Sequence, residues 1–539
     1  MPITLPAPVP GSLDYPEVPV GAIVAGAAAR WGERVAYRHH DRQLTFTEVY
    51  RAACRFANAL RANGIAPGDT VAIHAPNCLA YPVAYYGIQL AGATFVPANP
   101  LLPPADLAAQ LADSGAVAAV TFGKAAQTLA AIQDRTAVRL VVTVGDDFDE
   151  FHAGQPETPP DVPIDVHRAL AHLAYTGGTT GRSKGVELPH RNIVVNALQY
   201  TLWNNGTVPV VDPAGGLTLD QVGSADEWPV RLGTGVIINL TPWFHAMGII
   251  SGVNMSMLTG TTVALQDGFE PRRYLAEAER LRITSIGGAP ALFAGLVACP
   301  DLATRDLSSV RTLGSGAAPM PHETTRALHD RFPDATIVEG YGLTEVTLIA
   351  TGGPAFRSGI RKPGTVGVPV PGTEVKIVDA DGEPLPAGEK GEVCVRGPQV
   401  MPRYHNRPEE TDATLVDGWL HTGDIGVLDE DGYLSIVDRK KDMLLYKGYN
   451  VYPRELEELL MAQPGVRQAA VVGRHRTDVG ELPVAFVVRT DEAVTDESLL
   501  AAVNDNVLPY KRIRELYFVD EIPVSAAGKV LKRELRARL

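Results

Sequence analysis

The stretch "YTGGTTGRSKG" (residues 175–185) crowds glycines, threonines and a serine ahead of Lys184. Small residues leave backbone N–H groups open, hydroxyls donate, and a lysine adds positive charge, so the stretch suits an anion such as phosphate. A Walker A loop would read Gly, four residues, then Gly-Lys-Ser/Thr. Gly177 plus four residues does reach Gly181, but Arg182 follows it and Lys184 precedes Gly185, so the loop is of another kind. Taken alone, it also reads as a glycine-rich structural turn.

Other stretches offer complementary groups. "EGYGLTE" (339–345) closes an apolar run with Thr344 and Glu345, hard oxygen donors of the kind Mg²⁺ takes beside substrate phosphates. By itself it reads first as a capped helix start. "DGWLHTGDIG" (417–426) sets Asp424 among glycines, where a carboxylate can approach a ribose diol; alone it is a turn. "DRKKD" (438–442) alone is a solvated charge run. "SAAGKVLKREL" (525–535) puts Lys529 after Gly528 in a small-residue loop, and alone reads as an exposed tail.

These residues need a scaffold. "TVAIHA", "TFVPANP", "AVAAVTFG", "VRLVVTVG", "GVIINLTP", "RITSIGGAP" and "VRTLGSG" read as strands, each followed by a helix-length stretch such as "LAYPVAYYGIQLAG". That alternation predicts parallel βαβ units covered on both faces. From about residue 365 shorter strands meet at Asp381-Gly382 and Asp431-Gly432 turns. The last hundred residues mix a helix in "YPRELEELLMAQPGV" with strands in "VRQAAVVGR" and "LPVAFVVRT". The expected fold is multidomain α/β. A large N-terminal domain (1–438) carries parallel sheets and a small barrel-like β region, and a small α+β domain (439–539) follows. The segment 204–235 reads as a surface loop or lid.

A chain of 539 residues is too long for one ordinary core, which agrees with two domains. Its net charge of −14 argues against nucleic acid as partner. Cys54, Cys78, Cys299 and Cys394 lie far apart, so neither a disulfide framework nor a zinc site is expected. The N-terminus lacks a signal-peptide pattern and no apolar run is long enough to span a bilayer, so a cytoplasmic protein is expected.

Together, "YTGGTTGRSKG", "PWFHAMG", "GSGAAPM", "GYGLTE", "GWLHTGD", "DRKKDMLLYKGYNVYPRELE" and "GKVLKREL", in this order, resemble the AMP-forming acyl-CoA synthetases of the adenylate-forming superfamily. The wording is closest to the fatty-acyl-CoA synthetase branch, and the resemblance runs from about Trp31 to the C-terminus. It implies a two-step reaction with ATP, Mg²⁺ and coenzyme A. A carboxylic acid becomes an acyl-adenylate with loss of pyrophosphate, and a thiol then displaces AMP. Small acid, ATP and coenzyme A are the implied partners; a homodimer is left open.

Carried over residue by residue, the resemblance implies that Thr176, Thr179, Thr180, Gly181, Ser183 and Lys184 cradle the β- and γ-phosphates. Glu345 would hold Mg²⁺ with Thr344 on the α-phosphate. Ala317, Ala318 and Tyr341 would sandwich adenine, among Gly316, Glu339, Gly340 and Gly342. Asp424 would take the ribose hydroxyls, with Arg439 and Ile436 beside it. Lys529 would bridge the reacting oxygens, and His245 would gate the thiol. The acid pocket would be lined near Trp243, His245, Met247, Gly248, Gly314, Gly316, Gly340, Gly342 and Val346. The C-terminal domain would swivel about Lys441, with Lys447, Gly448 and Tyr449 along the coenzyme A route.

The sequence has Gly178 where many relatives of the resembled family carry serine, Ser183 where proline is common, and Leu445 where some have a lysine. An aliphatic acid, short or branched to fatty, is expected. A ligase loading a carrier-protein pantetheine, an aryl acid:CoA ligase and a binding protein that lost its chemistry are the alternatives. Intact Lys184, Glu345, Asp424 and Lys529 count against the last.

Overall fold

The computed structural model describes residues 10, 13–176, 183–524 and 530–539. Thr179, Thr180, Gly181 and Lys529, with Gly177, Gly178, Arg182 and Gly528, lie outside them.

Two large sheets dominate the first part. One has seven strands in the order Arg403–Tyr404, Gly185–Pro189, Leu170–Tyr175, Thr94–Pro97, Thr70–His74, Ala118–Thr121 and Leu140–Thr143. Its strands from Leu170–Tyr175 to Leu140–Thr143 are parallel, and the first two close it antiparallel. The other has nine strands, with a parallel run through Thr336–Tyr341, Thr312–Ser315, Ser285–Gly288, Val236–Asn239, Thr262–Leu265 and Val35–His39. Helix Phe46–Ala62 links the two sheets, while Ala80–Leu90 supplies the crossover that the parallel strands Thr70–His74 and Thr94–Pro97 demand. The first is started by a capping box: Thr45 Oγ1 accepts from Glu48 N at 3.1 Å, and Glu48 Oε2 accepts from Thr45 N at 2.7 Å.

A five-stranded antiparallel sheet contains Glu374–Val378, Gly391–Arg396, Leu415–Val416, Trp419–Leu428 and Leu434–Arg439. Strands Leu444–Tyr446, Tyr449–Val451, Val466–Arg476, Gly480–Arg489 and Glu515–Phe518 form a separate sheet. The two buried apolar clusters around it draw all their members from residues 444–539.

The segment 204–235 is not a surface loop. Thr207–Val211 and Leu217–Gln221 pair as a two-stranded sheet. Trp228, fully buried, packs with Trp203, Ile349 and Phe356. Burial of one large indole ties down what composition alone presents as loop.

Candidate active site

Strands Leu170–Tyr175 and Gly185–Pro189 form an antiparallel pair with Tyr175 opposite Gly185, so the two ends of the phosphate-type loop meet. Thr176 N donates to Lys184 O at 2.9 Å, and Ser183 Oγ donates to Thr176 O. Lys184 Nζ lies 4.7 Å from the centre of the Tyr404 ring.

"GYGLTE" begins in the last two residues of the strand Thr336–Tyr341, and among the described residues no α-helix and no side-chain cap follows it directly. Residues Thr344–Val346 make one tight turn and Thr347 takes a φ of +69°. Gly342 is required by close approach, because a Cβ there would stand 1.6 Å from Leu348 O. The turn presents Glu345, whose Oε1 accepts from the Tyr404 hydroxyl at 2.8 Å and whose backbone O accepts from Met401 N at 2.8 Å. Glu345 and Thr344 offer oxygen donors alone, the donor set Mg²⁺ takes. Their chemistry fits the expected metal.

Asp424 and Arg439 are directly opposed across strands Trp419–Leu428 and Leu434–Arg439. Arg439 Nε stands 3.5 Å from Asp424 Oδ1, and the Tyr341 hydroxyl donates to Asp424 Oδ2 at 2.7 Å. Burial, then the Asp424 carboxylate, hold the Tyr341 phenol well above its ordinary pKa, so it stays a donor. Glu339 accepts from Met320 N at 3.0 Å, which folds the loop carrying Ala317 and Ala318 back onto its strand; burial raises the Glu339 carboxyl. Ala317 itself has φ +68°.

A cavity of about 100 Å³ collects many of these residues. His245, Met247, Gly314, Gly316, Ala317, Glu339, Gly340, Tyr341, Gly342 and Thr344 all line it. His245 Nδ1 accepts from Met247 N at 3.3 Å. Trp243, Gly248 and Val346 do not line it. The Trp243 ring is fully buried against Tyr37 and Tyr81, at centroid distances of 5.6 and 5.5 Å. A Cβ on Gly248 would meet Pro242 O at 2.0 Å, and Val346 is fully buried. The far wall is instead Tyr200, Trp203, Gly352 and Gly353, with Trp203 Nε1 donating to Gly353 O at 3.0 Å.

Ile436 lies on the strand that carries Arg439, and its carbonyl accepts from Arg454. Lys447 and Gly448, at φ +51° and +82°, form the two-residue turn between Leu444–Tyr446 and Tyr449–Val451. Tyr449 is exposed and stacks on Tyr510 at 4.7 Å; none of the three lines the cavity. Lys441 lies in a turn between two anchored neighbours. Lys440 Nζ reaches Glu392 Oε2 at 3.0 Å in the preceding sheet, and Asp442 Oδ1 holds Arg536 Nη2 at 2.9 Å near the C-terminus.

Sequence reasoning missed Tyr404, which joins the surroundings of Lys184 and Glu345. Its only local signal is the aromatic in "MPRYHNRPEET", between two recognised motifs.

The AMP-binding enzyme family matches residues 24–405, and the AMP-binding enzyme C-terminal domain matches residues 455–529. The chain is 33% identical to the long-chain-fatty-acid–CoA ligase of Bacillus subtilis, covering 98% of this chain and 96% of that protein. It is 37% identical to the feruloyl-CoA synthase of an Amycolatopsis species, over 93% of this chain and 95% of the relative. In structure it is similar to ATP-bound MatB from Rhodopseudomonas palustris, with a TM-score of 0.84, 29% identity, and 96% and 98% of the two chains covered.

Proposed function

Because the chain belongs to the AMP-binding enzyme family, we propose a role for each residue of its site in the chemistry of an acid:CoA ligase. The chain is an ATP-dependent, AMP-forming acyl-CoA ligase that uses Mg²⁺ and coenzyme A. A carboxylate oxygen attacks the α-phosphorus of ATP as the bond to pyrophosphate breaks. The coenzyme A thiol then attacks the acyl carbon, and the carbon–oxygen bond to AMP breaks.

The difficulty of the first step is anion against anion, so positioning and charge neutralisation carry most of the catalysis. Thr176, Ser183 and Lys184, with Thr179, Thr180 and Gly181, receive the outer phosphates. Bound Mg²⁺ neutralises phosphate charge and polarises the phosphoryl oxygens. Glu345 holds that ion, oriented by Tyr404, and Thr344 donates to the α-phosphate. Tyr341 and Ala317–Ala318 take adenine between them, and Asp424 with Arg439 takes the ribose. His245 stands at the acid end, and Lys529 supplies positive charge to the reacting oxygens.

The observation that carries this reading is the single cavity on which His245, Ala317, Tyr341 and Thr344 converge, with Asp424 bonded to Tyr341 at its edge. We assign residues 1–438 to adenylation and 439–539 to a domain that swings about Lys441, exchanging Lys529 for the Lys447–Tyr449 turn. The acid is proposed to be aliphatic, short or branched to fatty. An aryl acid is the second reading, favoured by the 37% identity to a feruloyl-CoA synthase. A cytoplasmic location agrees with four buried, unpaired cysteines. Among the described residues, no helix is long and apolar enough to cross a membrane.

The test is a panel of aliphatic and aryl acids assayed for AMP, pyrophosphate and free thiol together. Equal yields of AMP and pyrophosphate and equal loss of coenzyme A thiol are expected. AMP formation with no thiol loss would point to a carrier-protein acceptor.

A further inference from the structure

A second cluster of chemically able side chains lies away from this site. Strands Val35–His39 and Thr262–Leu265 run parallel with His39 opposite Leu265, so the chain leaving Leu265 brings Asp267 to the end of the strand that carries His39. His39 Nε2 lies 2.8 Å from Asp267 Oδ1, and His40 Nε2 lies 3.1 Å from Asp267 Oδ2. Successive residues of an extended strand face opposite ways. His40 escapes that alternation with a φ of +51°, a left-handed conformation that costs a non-glycine residue roughly 1–2 kcal/mol. Glycine or asparagine is the usual occupant of such a position. Here a histidine takes it, and the two imidazole rings stand 4.3 Å apart beside one carboxylate.

All three donor atoms lie within 4.8 Å of one another. They sit at the lining of a cavity of about 950 Å³ that shares no residue with the cavity around Tyr341. We propose that His39, His40 and Asp267 form a binding site for a divalent transition-metal ion of the zinc class, separate from the Mg²⁺ of the ligase reaction. Two imidazole nitrogens and one carboxylate oxygen suit Zn²⁺, whereas Mg²⁺ takes oxygen donors and keeps its waters. Ion entry exchanges the His39–Asp267 hydrogen bond and the close His40–Asp267 contact for three metal bonds of about 2.0–2.2 Å. Each neutral imidazole then keeps its proton on Nδ1. Three protein ligands leave a fourth position for water or an anion from the cavity.

The test is calorimetric titration of the chelator-treated full chain with zinc chloride in nucleotide-free buffer, repeated with Co²⁺ by visible absorption. His40 and Asp267 side chains are 57% and 58% exposed, so His40→Ala and Asp267→Asn leave the fold intact, checked by their melting temperatures. The expected result is one zinc site whose affinity falls at least about tenfold in each variant, with loss of the intense tetrahedral Co²⁺ bands. Zinc binding unchanged in both variants, or no binding below millimolar zinc in the parent chain, would overturn the proposal.

Discussion

The Tyr404 hydroxyl donates to Glu345 Oε1 at 2.8 Å while Lys184 Nζ stands 4.7 Å from the centre of the same ring. One side chain therefore touches the groups assigned to metal and to phosphate. Its own position is clamped. Arg403 Nε and His405 Nδ1 reach the two oxygens of buried Glu187 at 2.7 and 2.8 Å, and strand alternation turns Tyr404 the other way. Tyr404→Phe keeps the ring for Lys184 and removes only the donor. Loss of a hydrogen bond that orients a metal ligand costs about 10–100-fold in metal affinity. The Mg²⁺ concentration for half-maximal pyrophosphate release is expected to rise by about that factor. Glu345→Gln should raise it further. An unchanged Mg²⁺ dependence in Tyr404→Phe would separate this tyrosine from the metal.

Asp424 is held by Tyr341 on one oxygen and by Arg439 on the other. Asp424→Asn is expected to raise KM for ATP by roughly tenfold or more, on the scale of one hydrogen bond to a charged group. Residues in contact are not additive, so Tyr341→Phe should add little to an Asp424→Asn background. Fully additive losses in the double-mutant cycle would mean that the two side chains act on ATP independently.

Lys441 lies between Lys440, tied to Glu392, and Asp442, tied to Arg536. Proline there fixes φ and removes a backbone donor, restricting rotation between the two anchors. Lys441→Pro should leave acyl-adenylate formation largely intact and reduce thioester formation by orders of magnitude. Thioester made at the parent rate would place the hinge elsewhere.

The scaffold was legible because its signals are local. Apolar runs such as "TVAIHA" and "RITSIGGAP" become the parallel strands Thr70–His74 and Ser285–Gly288, and Asp431-Gly432 becomes a turn with Gly432 at φ +83°. What escaped depends on distant pairing. Tyr404 reaches the site because Arg403–Tyr404 pairs with Gly185–Pro189, more than two hundred residues earlier. Trp243 looks like a pocket residue beside His245, yet Tyr37 and Tyr81 draw it into the core. Trp203 reaches the cavity wall from helix His190–Asn205, whose buried residues surround it and leave no one-sided pattern to read.

Four buried histidines, His74, His152, His172 and His190, set an acid limit on stability, and burial lowers the pKa of each. Burial lowers His74 to about 4, His172 to about 3 and His190 to about 4. His190 Nδ1 accepts from Val20 N at 3.1 Å, a bond that a proton there would break. The unfolded chain takes up these protons near pH 6.5 and the folded chain does not, so their stabilisation is complete above pH 6.5 and lost as pH falls toward 4. At pH 5 each of His74, His172 and His190 removes about 2 kcal/mol. Glu339 and Asp438, raised by burial, act in the opposite sense near the carboxylate range. The melting temperature should drop clearly between pH 7.5 and 5; an equal value at both would contradict this assignment.

The chemistry itself is read most directly by following one oxygen. An acid that supports pyrophosphate release is labelled with ¹⁸O in its carboxylate and turned over with ATP, Mg²⁺ and coenzyme A, and the AMP is weighed by mass spectrometry. Attack of the carboxylate on the α-phosphorus, then of the thiol on the acyl carbon, leaves one labelled oxygen on the phosphate of every AMP. AMP free of label, or label found in pyrophosphate, would contradict an acyl-adenylate formed at this site.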